Sequence, residues 1–578
     1  MTVQVDTVTM TVVSNYLRNV CQEMGVAMMR TSFSTIFNEG LDFSCVVFDA
    51  EGRAIGTGEF CPAQIGAINF VVASCIEELG IETFSEGDVV IHNDPYRGNC
   101  HIPEHMVMKP VFFEGELVAF AATIAHMAEV GGKAPGGFAA DAMDVYQEGL
   151  RLPPVKLMER GERNEDVWKL ILMNHRTPRS TWGDLHAMVG ALNVGEQRLQ
   201  SLFSRYGIER VGLINDALFD YSERRMREEI AAIPDGEYLW EDVVEDDGVV
   251  PDKPYWIRAR VFVDGSDIIF DFRESDDQAQ GPCNMTFGSI MSAAYNAMLQ
   301  VTDPTIPKNA GCYRPIHVLT RPGSIVNVQP PGPSVGGNSE IHPRVVDLIL
   351  AALAPAIPDR VAASSGGNSC SFLFGGWHPK TGEYFTNYHI EGIGWGGTAV
   401  GNGNNSQNVI NGNCRNTPIE IFETRFPIRI GWLRLIPDSG GAGQTRGGLA
   451  CERMLEVLSP DLTVAEFTDR MTTQAWGLFG GLPGSSTATF MRLRGTDEWA
   501  TVQDLFGTVS NSKYSGIKLK EGDCVMLRTA GGGGYGPPES RDPALVETDV
   551  ADGFVTREAA LRYYGVRIAP DHQTAPAS

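Results

Sequence analysis

Two apolar runs joined by a glycine turn constrain this chain more than any other feature. VMKPVFF (107–113) and LVAFAATI (117–124) flank Glu114-Gly115. Runs of this kind around such a turn predict an antiparallel hairpin. His101 lies just before the first run and His126 just after the second, so strand pairing brings both imidazoles to one end. Carboxylates and glycines surround them throughout 91–150. Paired imidazoles with carboxylates are the donors that a borderline divalent cation takes.

Glu104 follows His101 by three residues, a spacing that turns both side chains toward one point in a loop or first helical turn. His126 ends the strand predicted over 117–125, and Asp42 starts one over 43–48. Each of the four stands at an element end, where a polar group escapes the apolar core. Three or four N/O ligands with an open position describe a catalytic site rather than a closed structural one. The competing reading for each residue is a local cap or hydrogen bond. His105 and His92 are weaker candidates; His105 could serve as acid/base or as a donor behind a ligand.

Lys plus Arg total 46 against 72 Asp plus Glu, a net charge of −26 that argues against nucleic acid and anionic membrane surfaces as partners. The N-terminus lacks a basic region followed by an apolar core, and no apolar run reaches spanning length. The eleven cysteines are scattered, with no CxxC pair, which fits reduced thiols in the cytoplasm and no structural zinc knuckle. GxxxxGK[ST] does not occur. SGGAGQTRGG (439–448) reads as an anion nest with Arg446 or, preferably, as a tight loop between strands.

With 578 residues the chain has room for two or more domains. Residues 8–30 carry Val12, Val13, Tyr16, Leu17, Val20 and Met24 at helical spacing. Residues 42–56 predict a hairpin turning near 49–52, and 64–79 a buried helix. Helical periodicity covers 165–206 and 215–233; strands such as 256–263 and 268–272 follow Pro234. The reading is an α+β chain in three parts. Residues 1–235 form a helix-plus-hairpin region carrying the cation site with a helical extension. Residues 236–540 form a β-rich domain with long glycine-rich loops, and 541–578 a loosely held tail. Glycine and asparagine crowd 364–413, which implies positive φ or backbone close to a ligand or partner, with Trp377, Phe385, Tyr388 and Trp395 packed between.

Several motifs together resemble the hydantoinase B family nearly end to end. They are LDFSCVVFDAEG (41–52), HNDPYRGNCHIPE (92–104), AHMAEVGGKAPGG (125–137), QEGLRLPPVKL (147–157), NHRTPR (174–179), GDLHA (183–187), NSEIHPRVVDLILAALAPAIPDRVAA (338–363), PDSGGAGQTRGG (437–448) and AGGGGYGPP (530–538). That family holds the beta subunits of ATP-dependent hydantoinases, oxoprolinases and caprolactamase, and the metal-binding subunits of acetone and acetophenone carboxylases. The resemblance implies zinc or manganese held by Asp42, His101 and His126, with Glu104 as a further ligand. It also implies a hetero-oligomer with a hydantoinase A-type subunit that binds ATP and magnesium. This chain departs from the family at Cys100, usually Thr, at Glu104 and Glu129, usually Asp, and at Met127, often His. Those changes alter the pocket and leave the substrate open.

Three functions are compatible with the resemblance. In the first, the partner phosphorylates a cyclic amide or imide, the metal activates water for attack, and Glu104, Glu129 or His105 moves the proton. In the second, the same cation stabilises an enolate oxygen during ATP-dependent ketone carboxylation. In the third, the chain is an architectural subunit. Amide opening is preferred because it is the commoner branch of the family.

Overall fold

The computed structural model describes residues 5–58 and 60–569 and places the hairpin at the centre of a seven-stranded sheet. The strands are β1 (Phe43–Asp49), β2 (Ala54–Thr57), β3 (Val89–His92), β4 (Glu104–Phe113), β5 (Glu116–His126), β6 (Val155–Glu159) and β7 (Glu162–Arg163). Their order is β2-β1-β5-β4-β3-β6-β7, and every pairing is antiparallel. β4 and β5 turn at Glu114 and Gly115, whose φ values of 53° and 86° match the right-handed twist of the strands. The β1–β2 turn is held by the Asp49 carboxylate, which accepts from the Glu51 and Arg53 amides.

Helices cover both faces of this sheet. They are α1 (Thr7–Thr31), α2 (Thr35–Asn38), α3 (Pro62–Leu79), α4 (Glu165–Asn174), α5 (Pro178–Tyr206) and α6 (Ile208–Ala231). Val46, Met106, Met108, Ala122 and Ile124 pack beneath Ile68, Val71 and Val72 of α3. Phe43, Cys45, Val107, Ala121 and Ala125 face the opposite way, toward α1 and α5. Burial on both faces is why the hairpin strands read as continuous apolar runs rather than alternating ones. The helical stretch over 165–206 is two helices, because Pro178 excludes Thr177 from the α region and starts α5 afresh.

Three four-stranded sheets follow, with strands from Gly236–Val244 to Cys524–Arg528. The chain is thus a mixed α+β structure. Its largest buried apolar cluster includes Val13, Phe203, Ile257, Leu350, Phe467 and Tyr535, so one core runs across position 235. The segment after 541 is not loose. Pro543–Ala551 and Arg557–Tyr564 are helices that bury Val546, Ala560 and Tyr564 in a cluster with Ala442. Residues 570–578 of the expected tail, and 1–4 of the N-terminal stretch, lie outside the described residues. Among the described residues no helix is long and apolar enough to cross a membrane.

The glycine-rich segments pack on one another. The amide of Gly394 donates to the Ala530 carbonyl at 2.9 Å, Gly397 to Gly533 at 2.9 Å, Gly441 to Gly532 at 2.8 Å and Gly532 to Gly448 at 3.0 Å. A Cβ added at Gly531, Gly532 or Gly533 would meet the carbonyl oxygens of Ser439, Trp395 and Trp476 at 1.9, 2.0 and 2.0 Å. Neither Gly394, Gly396 and Gly397 nor Gly531 to Gly534 has positive φ. What these glycines permit is backbone packed directly on backbone, not a ligand cradle. Arg446 is likewise committed: it donates to the Gly447 carbonyl, lies 3.5 Å from Asp549 and covers the Phe554 ring. Phe385 and Tyr388 are buried as expected, whereas Trp377 is 66% exposed.

Candidate metal centre

The site follows from strand register. Phe43 pairs with Ala125, and Glu104 pairs with His126. One residue back along β1, Asp42 accepts the His126 amide at its own carbonyl, 3.0 Å away. Asp42, His126 and Glu104 therefore form one row across three neighbouring strands. Side chains alternate along a strand, so all three share the α3 face with Val46, Ile124 and Met106. His101 reaches the row from the preceding loop, where its carbonyl accepts the Glu104 amide at 3.1 Å. Its Nε2 lies 3.7 Å from Glu104 Oε1, and its ring centroid 5.1 Å from that of His126.

Other segments fix these side chains. His101 Nδ1 lies 2.8 Å from the Val335 carbonyl, which places the proton on Nδ1 and leaves Nε2 as an acceptor. The His126 ring stacks on Tyr388 at 4.4 Å, with Phe138 5.8 Å away. Gln64, in the first turn of α3, donates to Asp42 Oδ1 at 3.0 Å. Asn338 donates to Glu104 Oε1 at 3.1 Å from a π-helical turn over Gly337–Ile341.

Burial governs the electrostatics. It pushes the Asp42 carboxyl up to about 7, and it pushes Glu104 up to about 8 with Asp42 as a second cause. It lowers His101 to about 4 and holds His126 well below the usual imidazole range. Burial thus disfavours charge on each of the four groups. His101 Nε2, His126 Nε2 and Glu104 Oε2 are buried without a hydrogen-bond partner. Unpaired buried acceptors are costly, and imidazole nitrogens beside carboxylates are donors of the kind a divalent cation takes. Among the described residues, the ligand atoms that all lie within 4.8 Å of one another are those of Asp42, Cys61 and Cys414; no three of Asp42, His101, Glu104 and His126 meet that distance.

Two residues expected to move protons stand elsewhere. The Glu129 carboxylate accepts from the Gly131 and Gly136 amides and from Arg176, so it clamps the glycine loop instead of facing the row. His105, next to Glu104 on β4, points by strand alternation to the opposite face; its ring centroid is 6.0 Å from His175. The sequence reading missed Gln64, Asn338, Cys61 and Cys414. The only signal for Asn338 was its place in the NSEIHPR motif.

A cleft of about 970 Å³ is lined by Thr35, Ala128, Arg176, Arg179, Tyr384 and Arg425, and by none of Asp42, His101, Glu104 and His126. Ala128 is two residues beyond His126.

The chain belongs to the hydantoinase B/oxoprolinase family, whose pattern matches residues 6–538. Among its relatives, the caprolactamase subunit beta of Pseudomonas jessenii is 32% identical over 575 residues, covering 98% of this chain and 96% of that protein. The crystal structure of ATP-dependent caprolactamase from Pseudomonas jessenii matches with a TM-score of 0.89 at 30% identity, over 99% of this chain and 98% of that one. A nucleotide-free acetone carboxylase structure matches with a TM-score of 0.88 at 18% identity, over 97% of this chain and 80% of that one, a likeness of fold.

Proposed function

We propose that this chain is the cation-holding subunit of an ATP-dependent enzyme that opens a cyclic amide or imide. The row of Asp42, His126 and Glu104, joined by His101 and carrying unpartnered buried acceptors, is the observation that carries the reading. Kinship to an ATP-dependent caprolactamase at 30% identity over nearly the whole chain supports it. Asp42, His101, Glu104 and His126 would hold a divalent ion, zinc or manganese, which supplies Lewis acidity to a substrate oxygen or to water.

The chain's own residues do the remaining work. Val335 and the Tyr388 ring hold the two imidazoles in place. Gln64 Oε1 is buried and unpartnered, and it accepts a hydrogen bond from water, orienting its oxygen for attack. Arg179 and Arg425 on the walls of the cleft at Ala128 suit a phosphorylated substrate.

The sequence has no Walker-type phosphate loop, so ATP and magnesium fall to a partner of the hydantoinase A type in a hetero-oligomer. The partner transfers a phosphoryl group to the amide oxygen. Water adds at the activated carbon, the C–N bond opens with the proton passing to the departing nitrogen, and a second water hydrolyses the resulting acyl phosphate to carboxylic acid and phosphate. Ketone carboxylation with the same donor set is the second reading, favoured only by likeness of fold to acetone carboxylase.

The test is reconstitution with the partner, followed by assay of ADP and ring-opened product from caprolactam, 5-oxoproline and hydantoin. A parallel assay offers acetone and bicarbonate. ATP-dependent ring opening that chelation abolishes supports the reading. Bicarbonate-dependent turnover without ring opening overturns it.

A further inference from the structure

Two thiols meet beside the row of donors. Cys61 stands at the N-terminal end of α3, and its amide bonds to Ser44 Oγ and to the Phe43 carbonyl, which ties it to the start of β1. Cys414 arrives from a loop far along the chain. That loop is pinned on both sides of the thiol: the Ala63 amide donates to the Asn411 carbonyl at 2.9 Å, and the Arg415 amide to the Gly40 carbonyl at 2.9 Å. Asn413 Nδ2 adds a bond to the Phe60 carbonyl at 2.7 Å, and the Cys414 amide one to Asn408 Oδ1 at 3.0 Å. The result is a fixed arrangement in which the ligand atoms of Cys61, Cys414 and Asp42 lie within 4.8 Å of one another. Nearby amide oxygens of Gln64 and Asn411 are buried without partners.

We infer that Asp42, Cys61 and Cys414 form a thiolate-bearing cation site next to the imidazole–carboxylate centre, one that takes a thiophilic ion of the zinc class. Two sulfurs and one carboxylate oxygen select zinc-like ions over manganese, because soft donors discriminate against hard cations. Three protein donors leave a fourth tetrahedral position for water or another small ligand. Loading displaces the two thiol protons to solvent. The inference stands on the Asp42–Cys61–Cys414 cluster and adds to the proposed centre without depending on it.

Cobalt(II) is the probe, titrated into the purified, metal-free full-length chain. Ligation by sulfur gives an intense near-ultraviolet charge-transfer band that nitrogen and oxygen donors do not give. The wild-type chain shows the band, and Cys61→Ser and Cys414→Ser each lose most of it. His101→Ala keeps the band while losing the other bound equivalent. Cobalt bound without the band, a band untouched by both serine variants, or loss of all cobalt from His101→Ala overturns the thiolate site. If His101→Ala and His126→Ala each keep full metal content and activity in the reconstituted complex while the band stays cysteine-dependent, the proposed centre fails and the thiolate site stands. X-ray absorption of the zinc-loaded wild-type chain needs no variant. A sulfur shell at about 2.3 Å supports the inference, and a shell of nitrogen and oxygen alone ends it.

Discussion

Glu104 and His126 are register partners across β4 and β5, at the open end of the hairpin that dominates the sequence. This pairing does two things at once. It sets a carboxylate and an imidazole opposite each other on one face, and it lines them up with Asp42 on the next strand. Sheet geometry, not a local sequence motif, makes the donor set.

The same geometry separates His126 from His105. His126→Ala removes a donor from the row, whereas His105→Ala touches the opposite face, near His175. His126→Ala in the reconstituted complex is expected to lose bound metal and more than about a hundred-fold in ring-opening rate, since removing a group behind a ligand already costs 10–100-fold. His105→Ala retains metal. Elemental analysis of both variants decides the matter, and equal metal loss would place the two imidazoles in one site.

Asn338 acts through Glu104. Its Nδ2 donates to Glu104 Oε1 and leaves Oε2 free. Asn338→Ala is expected to weaken metal retention by roughly 10–100-fold, while Asn338→Asp, which cannot donate when ionised, does worse. Competition with a chromophoric chelator measures both. Retention unchanged in Asn338→Ala would show that Glu104 needs no such support.

The row of Asp42, His126 and Glu104 was legible as geometry because its members sit at the ends of locally readable elements. His101 and His126 bracket an apolar hairpin, and Asp42 precedes an apolar strand. The supports were not legible. Asn338 lies 234 residues from Glu104, and an asparagine carries no signal of its partner. His105 was misplaced because the strand was read from 107, whereas β4 begins at Glu104, and only a strand covering His105 lets alternation assign its face. Glycine density was plain in the sequence, but backbone packing between segments far apart leaves no local trace.

A buried carboxyl away from the row gives a pH test. Glu466 accepts the Tyr514 hydroxyl at 2.6 Å and the Thr489 hydroxyl at 2.5 Å, and burial pushes it up to about 7 from an ordinary 4.5. The folded protein holds this proton more tightly than the unfolded chain does. Its contribution to stability is therefore complete below pH 4.5 and is lost as pH rises through about 7. Glu466→Gln stays neutral and keeps an acceptor. Relative to the variant, wild-type stability is expected to fall across that window by roughly 3 kcal/mol at most. Urea midpoints at several pH values measure the difference. A constant gap between the two proteins would contradict the account.

Gly532 tests the backbone-on-backbone core. A Cβ there would lie 2.0 Å from the Trp395 carbonyl oxygen, 2.3 Å from its carbon and 2.9 Å from the Gly396 nitrogen. None of these is the end of a side chain that can swing away. The neighbouring chains are also fixed, since Gly532 donates to Gly448 and accepts from Gly441. Gly532→Ala is therefore expected to cost more than about 4 kcal/mol or to prevent folding, at the extreme of single-residue effects. Gly190 is the internal control: it lies within α5, and a Cβ there meets nothing within 4 Å. Gly190→Ala is expected to stabilise by about 0.5–1 kcal/mol, because alanine loses less conformational freedom in a helix. Thermal midpoints of both variants, scanned at one rate, separate steric packing from glycine's general flexibility. A tolerated Gly532→Ala would mean that these segments have room between them.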